Sequence, residues 1–470
     1  MIKFGTGGFR AIIGDDFTRS NLELLAQGLV NKMRREGCAD SPVIIGYDRR
    51  FLSDIGSHWI CAVFAANGIP CKLIDFAAPT PLIMFTVKTL KTQYGMAITA
   101  SHNPAEYNGV KIFTAGGRDA TEEVTNDLEK EIAAISAADV RRMDYAKALS
   151  QGLVEIIDPT NQYIDSILSF VDVDAIKDKA LKVLIDPMYG VSKNCLQTLL
   201  LTCRCDVSVI HERHDPLFGG RVPAPSADTL KALSNMVVEG HYDLGIATDG
   251  DADRIGLIDS EGNYIHPNDI LVLLYYYLHE FKGWKGPVVR NIATTHMLDR
   301  MAKDFGEVCY EVPVGFKHIS FKMDEQNALI GGESSGGLTV RGHISGKDGV
   351  YAAALLVEMI CRIGKPLSVI LRELHDKYGH CHMSECNLSM SPERKAELQK
   401  LLFEEHALPQ FPIAVDHVSY EDGCKVYFQN DGWIICRFSG TEPVIRIFCE
   451  QENEKKADEI IQIFRSFLGL

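Results

Sequence analysis

The sequence predicts an α/β protein of four domains, three of one shared plan followed by a smaller α+β domain. Three observations carry this. The chain has 470 residues, more than one hydrophobic core serves, which points to about three or four domains. Four stretches run strand, short polar loop, strand. Upstream of the first three lies an apolar strand, a polar turn and an amphipathic helix.

In chain order, the first domain is expected over 1–150. "PVIIGYDRRFLSD" from Pro42 supplies a buried strand and the start of a helix, and "YGMAITASHNPAEYNGVKIFT" the interrupted strand pair. The second, expected over 151–262, has "KVLIDPMYGVSKN" from Lys182 and "YDLGIATDGDADRIGLID" over 242–259. The third, over 263–378, has "PVVRNIATTHMLD" from Pro287 and "NALIGGESSGGLTV" over 327–340. The fourth, over 379–470, has "GWIICRFSGTEPVIRIFCE" over 432–450 and ends on an amphipathic helix, "EKKADEIIQIFRSFL". Each polar loop thus belongs to a different domain. If the loops converge, they line one cleft between domains, where ligand sites concentrate.

The hydrophobic fraction of 46% and charged fraction of 24% are those of a globular protein. A net charge of −15 argues against a nucleic-acid binder, which needs a basic field, but leaves room for a local basic pocket. The opening "MIKFGTGGFR" has no apolar signal segment, and no run reaches membrane-spanning length. The 13 cysteines show no paired framework, so the reading is a reducing cytoplasm and no membrane. "HDKYGHCHMSEC", His375 to Cys386, raises a zinc site, but no second half with zinc-ligand spacing follows, and a linking segment is the stronger reading.

"DGDADR" places carboxylates at Asp249, Asp251 and Asp253. On an extended segment alternate residues point the same way, and three such carboxylates repel unless a cation lies between them. Hard oxygen ligands suit Mg²⁺. A calcium loop is excluded, since Arg254 and Ser260 stand where it needs Gly and Glu. Ser101, in "TASHNP", then has a task. His102 is its sequence neighbour, poorly placed on an extended chain to take its proton as a hydrolytic base would. A phosphorylated serine instead needs a divalent ion and cations, and both are at hand.

Gly332, Ser334 and Gly336 fit a nucleophile-elbow pattern, but "LTVRG" after them is β-like, not helical. "GGESSGG" reads instead as a loop presenting Glu333, Ser334 and Ser335 to sugar hydroxyls. "RFSGTEPVIR" carries Arg437, Ser439, Gly440, Thr441 and Arg446, the donors of a phosphate clamp. "FGTGGFR" fails as a dinucleotide fingerprint, yet its backbone and Arg10 suit a phosphoserine. Lys111 shares a loop with Ser101. Lys317 and His318 stand between surface and substrate readings, and Lys317 is kept among the substrate-binding candidates.

Together these loops resemble the α-D-phosphohexomutase superfamily, most nearly its phosphoglucomutase/phosphomannomutase branch, over almost the whole chain. The resemblance implies four domains around a deep cleft, the first three with mixed sheets. It implies that Ser101 carries a phosphoryl group and shares Mg²⁺ with the three aspartates. It implies that Arg10, His102, Lys111 and Arg254 assist transfer or proton movement, and that Glu333 and Ser335 grip the sugar. Gly7 departs from the usual side-chain donor of the opening loop, and Ser334 from the Glu, Met or Gln common in relatives.

The expected activity is a reversible mutase, interconverting hexose 1-phosphate and hexose 6-phosphate through a bisphosphorylated sugar. Glucose is the first choice and mannose the second, with glucosamine and pentose phosphates as alternatives. A metal-dependent sugar phosphatase and a non-catalytic sugar-phosphate sensor are the rivals from other classes. The residues fix no oligomeric state.

Overall fold

A computed structural model describes residues 2–5, 7–438 and 444–470. The described residues form four sheets in sequence order. Three of them contain one repeated unit. In the first sheet Cys71–Ala77, Val43–Tyr47 and Tyr94–Ile98 run parallel, and Tyr107–Thr114 closes the unit antiparallel. The second repeats this order with Asp206–Val209, Lys182–Asp186, Leu244–Thr248 and Ile255–Asp259. The third does so with Cys309–Val312, Val288–Asn291, Ile330–Gly332 and Leu338–Val340.

Local sequence accounts for the unit. Parallel neighbours need a crossover, and a helix follows each of the first two strands: Ser53–Ala66 and Thr80–Thr89, Lys193–Thr202 and Lys231–Gly240, Met297–Phe305 and Phe316–Gln326. Helices on the sheet faces bury both sides of the central strands, which is why VIIGY is apolar throughout and wholly buried. The last two strands of each unit need only a hairpin, so the chain can place a polar loop there. These are the loops of Ser101, of the three aspartates and of Glu333. The sheets are mixed, as expected.

The first sheet also takes in Phe4–Gly5 and Gly8–Ile12 at one edge and Val154–Ile156 at the other. That last strand hydrogen-bonds to Cys71–Ala77, so the first sheet reaches past the boundary read at 150. The fourth sheet has five strands and is wholly antiparallel, in the order His382–Ser389, Val444–Gln451, Trp433–Phe438, Cys424–Phe428, Val415–Ser419. Glu454–Leu468 contacts it with Ala457, Ile460, Ile461 and Phe464 buried. The fourth domain meets the third through Trp433 and Ile435 against Ile292 and Ala293. Beside them the buried Lys425 ammonium donates to the Ile292 carbonyl and to Glu311, both at 2.7 Å. Burial, then Arg290, pushes Lys425 down to about 7.

The helix Gly349–Ile363 is buried on every side from Gly349 to Cys361 and contacts elements of both the second and third domains. Its N-terminus is fixed by Asp348, which accepts from the Val350 and Tyr351 amides at 2.9 Å. The same carboxylate accepts the Tyr163 hydroxyl at 2.8 Å and lies 2.7 Å from His343 Nε2. Asp348→Ala strands all of these donors, and breaking a buried charged network typically costs about 3–5 kcal/mol. A urea titration is expected to show a clearly lowered first unfolding transition for Asp348→Ala and a smaller loss for Asp348→Asn. An unchanged midpoint in Asp348→Ala refutes this account of the helix.

Candidate active site

Ser101 follows the strand Tyr94–Ile98 and takes φ of 53°, left-handed backbone that a residue with a Cβ seldom adopts. The extended-chain expectation for His102 therefore fails. The turn at Ser101 carries the imidazole back, and His102 Nδ1 lies 3.4 Å from Ser101 Oγ. The hydroxyl donates to Asp249 Oδ2 at 2.8 Å, joining the first domain's loop to the second's.

The aspartate loop also departs from an extended segment. The Ala252 amide donates back to the Asp249 carbonyl, and Ala252 has φ of 60°. The three carboxylates converge because the loop turns, not because alternate side chains share a face. One oxygen from each lies within 4.8 Å of the others, and all three residues are buried. Lys111 Nζ donates to Asp251 Oδ2 at 2.6 Å and to Asp253 Oδ2 at 2.7 Å. Lys347 Nζ reaches Asp253 Oδ2 at 2.9 Å, and Thr80 Oγ1 donates to Asp251 Oδ2 at 2.7 Å. The amides of Asp253 and Arg254 donate to Asp249 Oδ1 at 3.1 Å.

Two acceptors are left over. Asp251 Oδ1 and Asp253 Oδ1 are buried without a hydrogen-bond partner. Orphaned carboxylate oxygens beside a third carboxylate are a donor set fitted to a hard divalent cation. The charges agree with this. Burial, then Asp251 and Asp253, pushes the Asp249 carboxyl well above the usual range. Against the cost of burial, Lys111, Lys347 and Arg254 hold Asp253 below it. Lys111 is likewise raised by Asp251 and Asp253 against its own desolvation. Burial, then Arg254 and Arg10, holds His102 well below its ordinary value.

Arg10 donates to Asn103 Oδ1 at 2.7 Å and so braces the serine loop. A Cβ on Gly7 would lie 2.6 Å from Arg10 Nη2, so the guanidinium packs against the glycine of "GTGG". Arg254 bridges to Gly337 of the third domain's hairpin. The Nε atoms of both Arg10 and Arg254 are buried without a hydrogen-bond partner, that of Arg254 at 4.0 Å from Asp253 Oδ1, and such donors suit an anion.

In the third domain, Glu333 Oε1 accepts from Asn291 Nδ2 at 3.1 Å and from the Gly315 amide at 3.2 Å. Ser334 is half-buried and Ser335 exposed. The segment after them is the strand Leu338–Val340, so Ser334 lies in a hairpin and not at an elbow before a helix. Lys317 pairs with Glu122 of the first domain, and His318 follows it on the same helix. In the fourth domain Arg437 holds Asp422 at 2.8 Å, and the exposed Arg446 stands opposite it across two paired strands. Ser439, Gly440 and Thr441 lie outside the described residues.

Hydrogen bonds and ion pairs thus unite Ser101, His102, Lys111, Asp249, Asp251, Asp253 and Arg254 in one cluster, and Arg10 joins its serine loop through Asn103. Lys317, Glu333 and Arg437 are engaged elsewhere. Thr80, Lys347 and Arg50, absent from the sequence reading, belong to the same cluster through Asp251, Asp253 and the Ser101 carbonyl. Among the described residues, the aspartates are the one group of three that could close on a single ion. In the segment His375–Cys386, His375 pairs with Asp269 at 3.1 Å and its ring meets that of His380.

Lys111→Met removes the cation between Asp251 and Asp253 and leaves buried carboxylates facing each other. In chelator the thermal midpoint is expected to fall, by an equivalent of about 3–5 kcal/mol. Millimolar Mg²⁺ or Mn²⁺ should recover more of the midpoint in the variant than it adds to the parent protein. Equal responses of the two proteins to the ion would remove the cation reading of the aspartates.

Models of phosphoglucomutase/phosphomannomutase domains match the chain in order: α/β/α domain I over 1–139, domain II over 161–262, domain III over 266–378, and the C-terminal domain over 393–466. A phosphoglucomutase/phosphomannomutase of Thermococcus kodakarensis is 31% identical over 463 residues, spanning 98% of this chain and 97% of its own. A phosphoglucosamine/phosphogalactosamine mutase of Sulfurisphaera tokodaii is 29% identical, spanning 97% of each chain. A crystal structure from Thermus thermophilus, assigned as a phosphomannomutase, superposes with a TM-score of 0.87 at 27% identity, covering 100% of this chain and 99% of that one. Matched in all four domains and over nearly its full length, the chain belongs to the phosphoglucomutase/phosphomannomutase family and is a phosphohexomutase, an intramolecular phosphotransferase.

Proposed function

We propose that the protein interconverts hexose 1-phosphate and hexose 6-phosphate, with glucose as the preferred sugar and mannose second, through a phosphoryl group carried on Ser101. The single observation behind this is Ser101 Oγ at 2.8 Å from Asp249 within a buried set of three carboxylates. A phosphorylated Oγ has no proton to give, so Asp249 then needs another partner. Asp249, Asp251, Asp253 and phospho-Ser101 would hold Mg²⁺, which supplies charge neutralisation at the transferring phosphoryl oxygens.

The chain's own groups do the rest. The free hydroxyl of the sugar phosphate attacks phosphorus; the bond from phosphorus to Ser101 Oγ breaks and a new ester forms on the sugar. Lys111 Nζ is occupied by two carboxylates, and His102 Nδ1 lies 3.4 Å from Ser101 Oγ, so His102 takes the hydroxyl proton and passes it to the departing Oγ. Arg10 and Arg254 offer Nε–H groups that have no hydrogen-bond acceptor of their own to the phosphoryl oxygens. The bisphosphorylated sugar turns end for end, and its other phosphoryl group returns to Ser101. Arg437, Ser439, Gly440, Thr441 and Arg446 hold the phosphate that is not reacting, with Lys317 as a further cation. Glu333, Ser334 and Ser335 address the sugar hydroxyls.

Relatives named for glucosamine and galactosamine phosphates favour one second reading, an amino-sugar phosphate as substrate. A cytoplasmic location accords with 13 free thiols, and no helix among the described residues is long and apolar enough to cross a membrane. Net charge of −15 speaks against nucleic acid as a partner.

Ser101→Ala is expected to abolish mutase turnover while the circular dichroism spectrum stays that of the parent. Full activity in that variant ends the carrier hypothesis. Coupled assays with the 1-phosphates of glucose, mannose, glucosamine and ribose are expected to rank glucose first by kcat/KM; a glucosamine value above the rest selects the second reading. Arg446→Ala should raise the half-saturating concentration of both the 1- and the 6-phosphate, because losing a hydrogen bond to a charged group costs about 1.5–3 kcal/mol. Unchanged binding of both by calorimetry would remove Arg446 from the clamp.

A further inference from the structure

Asp48, Arg49 and Arg50 follow the first domain's leading strand and have no part in the chemistry above. All the same, the backbone of Ser101 is tied to them at both its polar groups. Its carbonyl accepts from Arg50 Nη2 at 2.7 Å. Its amide donates to Thr99 Oγ1 at 2.8 Å, and that hydroxyl in turn donates to Asp48 Oδ2 at 2.6 Å. Asp48 and Arg50 are themselves joined, by the Arg50 amide on Asp48 Oδ1 at 2.9 Å and by their side chains at 3.4 Å.

Arg50 gathers the rest of the loop as well. Nη2 also donates to the Asn103 carbonyl at 2.5 Å, and Nη1 donates to the carbonyls of Pro104 at 2.7 Å and Tyr107 at 2.9 Å. Four carbonyls of one short loop point at the guanidinium of one arginine whose side chain is fully buried. Only a curled loop can do this, and the curl begins at the left-handed Ser101. A planar fork of fixed N–H directions sets such a shape; an ammonium, a point charge on a flexible stem, does not.

The second domain completes the arrangement. The Arg50 guanidinium lies 4.9 Å from the centre of the Phe218 ring. A Cβ on Gly250 would stand 2.8 Å from the Ser101 carbonyl, so the aspartate loop presses on the residue that Arg50 holds. Arg49 donates to the Glu212 carbonyl at 2.8 Å, beside this contact.

We propose that Arg50 is a positioning residue for phosphoryl transfer: it locks Ser101 in its left-handed backbone so that Oγ faces Asp249, and Phe218 of the second domain seats the guanidinium. This rests on Ser101 as the phosphoryl carrier. Asp48 and Thr99 hold the amide side of the same lock.

The test uses the full chain and glucose 1,6-bisphosphate as phosphoryl donor, with rapid-quench mass analysis of Ser101 alongside kcat, KM and thermal midpoint. Arg50→Lys is expected to slow phosphoryl uptake and lower kcat about 100-fold, the scale of a misplacement near 1 Å, while KM stays within about 3-fold. Free guanidinium should restore part of the uptake rate in Arg50→Ala and leave the parent's rate no faster. Phe218→Leu, which leaves Arg50 in place, should slow uptake about 10-fold at unchanged KM, on the general scale of a lost cation–π contact. Uptake at the parent rate in Arg50→Lys, or a fall in activity that only tracks the fraction of folded protein, overturns the proposal. Should both Arg50 variants fail to fold, Phe218→Leu decides, and a parent rate there overturns it. Ser101→Ala separates the two levels: uptake that persists in it refutes the carrier, whereas uptake lost there but normal in Arg50→Lys refutes the positioning alone.

Discussion

One lysine joins two domains at the point where the chemistry is proposed. Lys111, on the antiparallel strand of the first domain, donates to Asp251 and Asp253 of the second. Both carboxylates are buried, and without a cation beside them their repulsion would open the loop or force protons onto it. The lysine therefore does two things. It lets three acidic residues exist in a buried turn, and it brings Ser101 within hydrogen-bond distance of the third, Asp249. The remaining cations follow the same logic from other elements: Lys347 from the third domain and Arg10 from the N-terminal hairpin.

The repeated unit explains why such a site can be assembled at all. In each of the first three domains the order of four strands is the same, and the only hairpin within the unit lies between the last two. A short hairpin loop tolerates sequence that a crossover helix does not, so each domain can contribute different chemistry from an equivalent place. A serine turn, a set of carboxylates and a polar hairpin came from one architecture. The contacts between loops are close: the Gly336 carbonyl accepts from the Ile255 amide at 3.1 Å, which links the third loop to the strand that leaves the second.

The fold was legible because burial writes itself into the sequence. Runs such as VII, VLI and VV lie in central strands covered on both faces, and the amphipathic stretches after them became the crossover helices. The residue types of the candidate site were legible because Ser101 and the aspartates stand out against apolar strands. Loop shape was not legible. Both the serine and the aspartate loops turn through left-handed residues, Ser101 and Ala252, that carry no glycine to announce them. Arg50, Thr80 and Lys347 were invisible for a different reason. Their partners lie far along the chain, Thr80 from Asp251 by 171 residues and Arg50 from Ser101 by 51, and no local pattern encodes such a contact.

The central claim is that a phosphoryl group moves between Ser101 and a sugar without passing to water. It is tested most directly by charging the wild-type chain with glucose 1,6-bisphosphate, mapping the phosphoryl group, and chasing with unlabelled glucose 6-phosphate while inorganic phosphate is measured. The account predicts one phosphoryl group per chain, located on Ser101, recovered on the sugar in the chase with no matching release of phosphate. A phosphoryl group on another residue, or its discharge as inorganic phosphate at the rate of turnover, would contradict it.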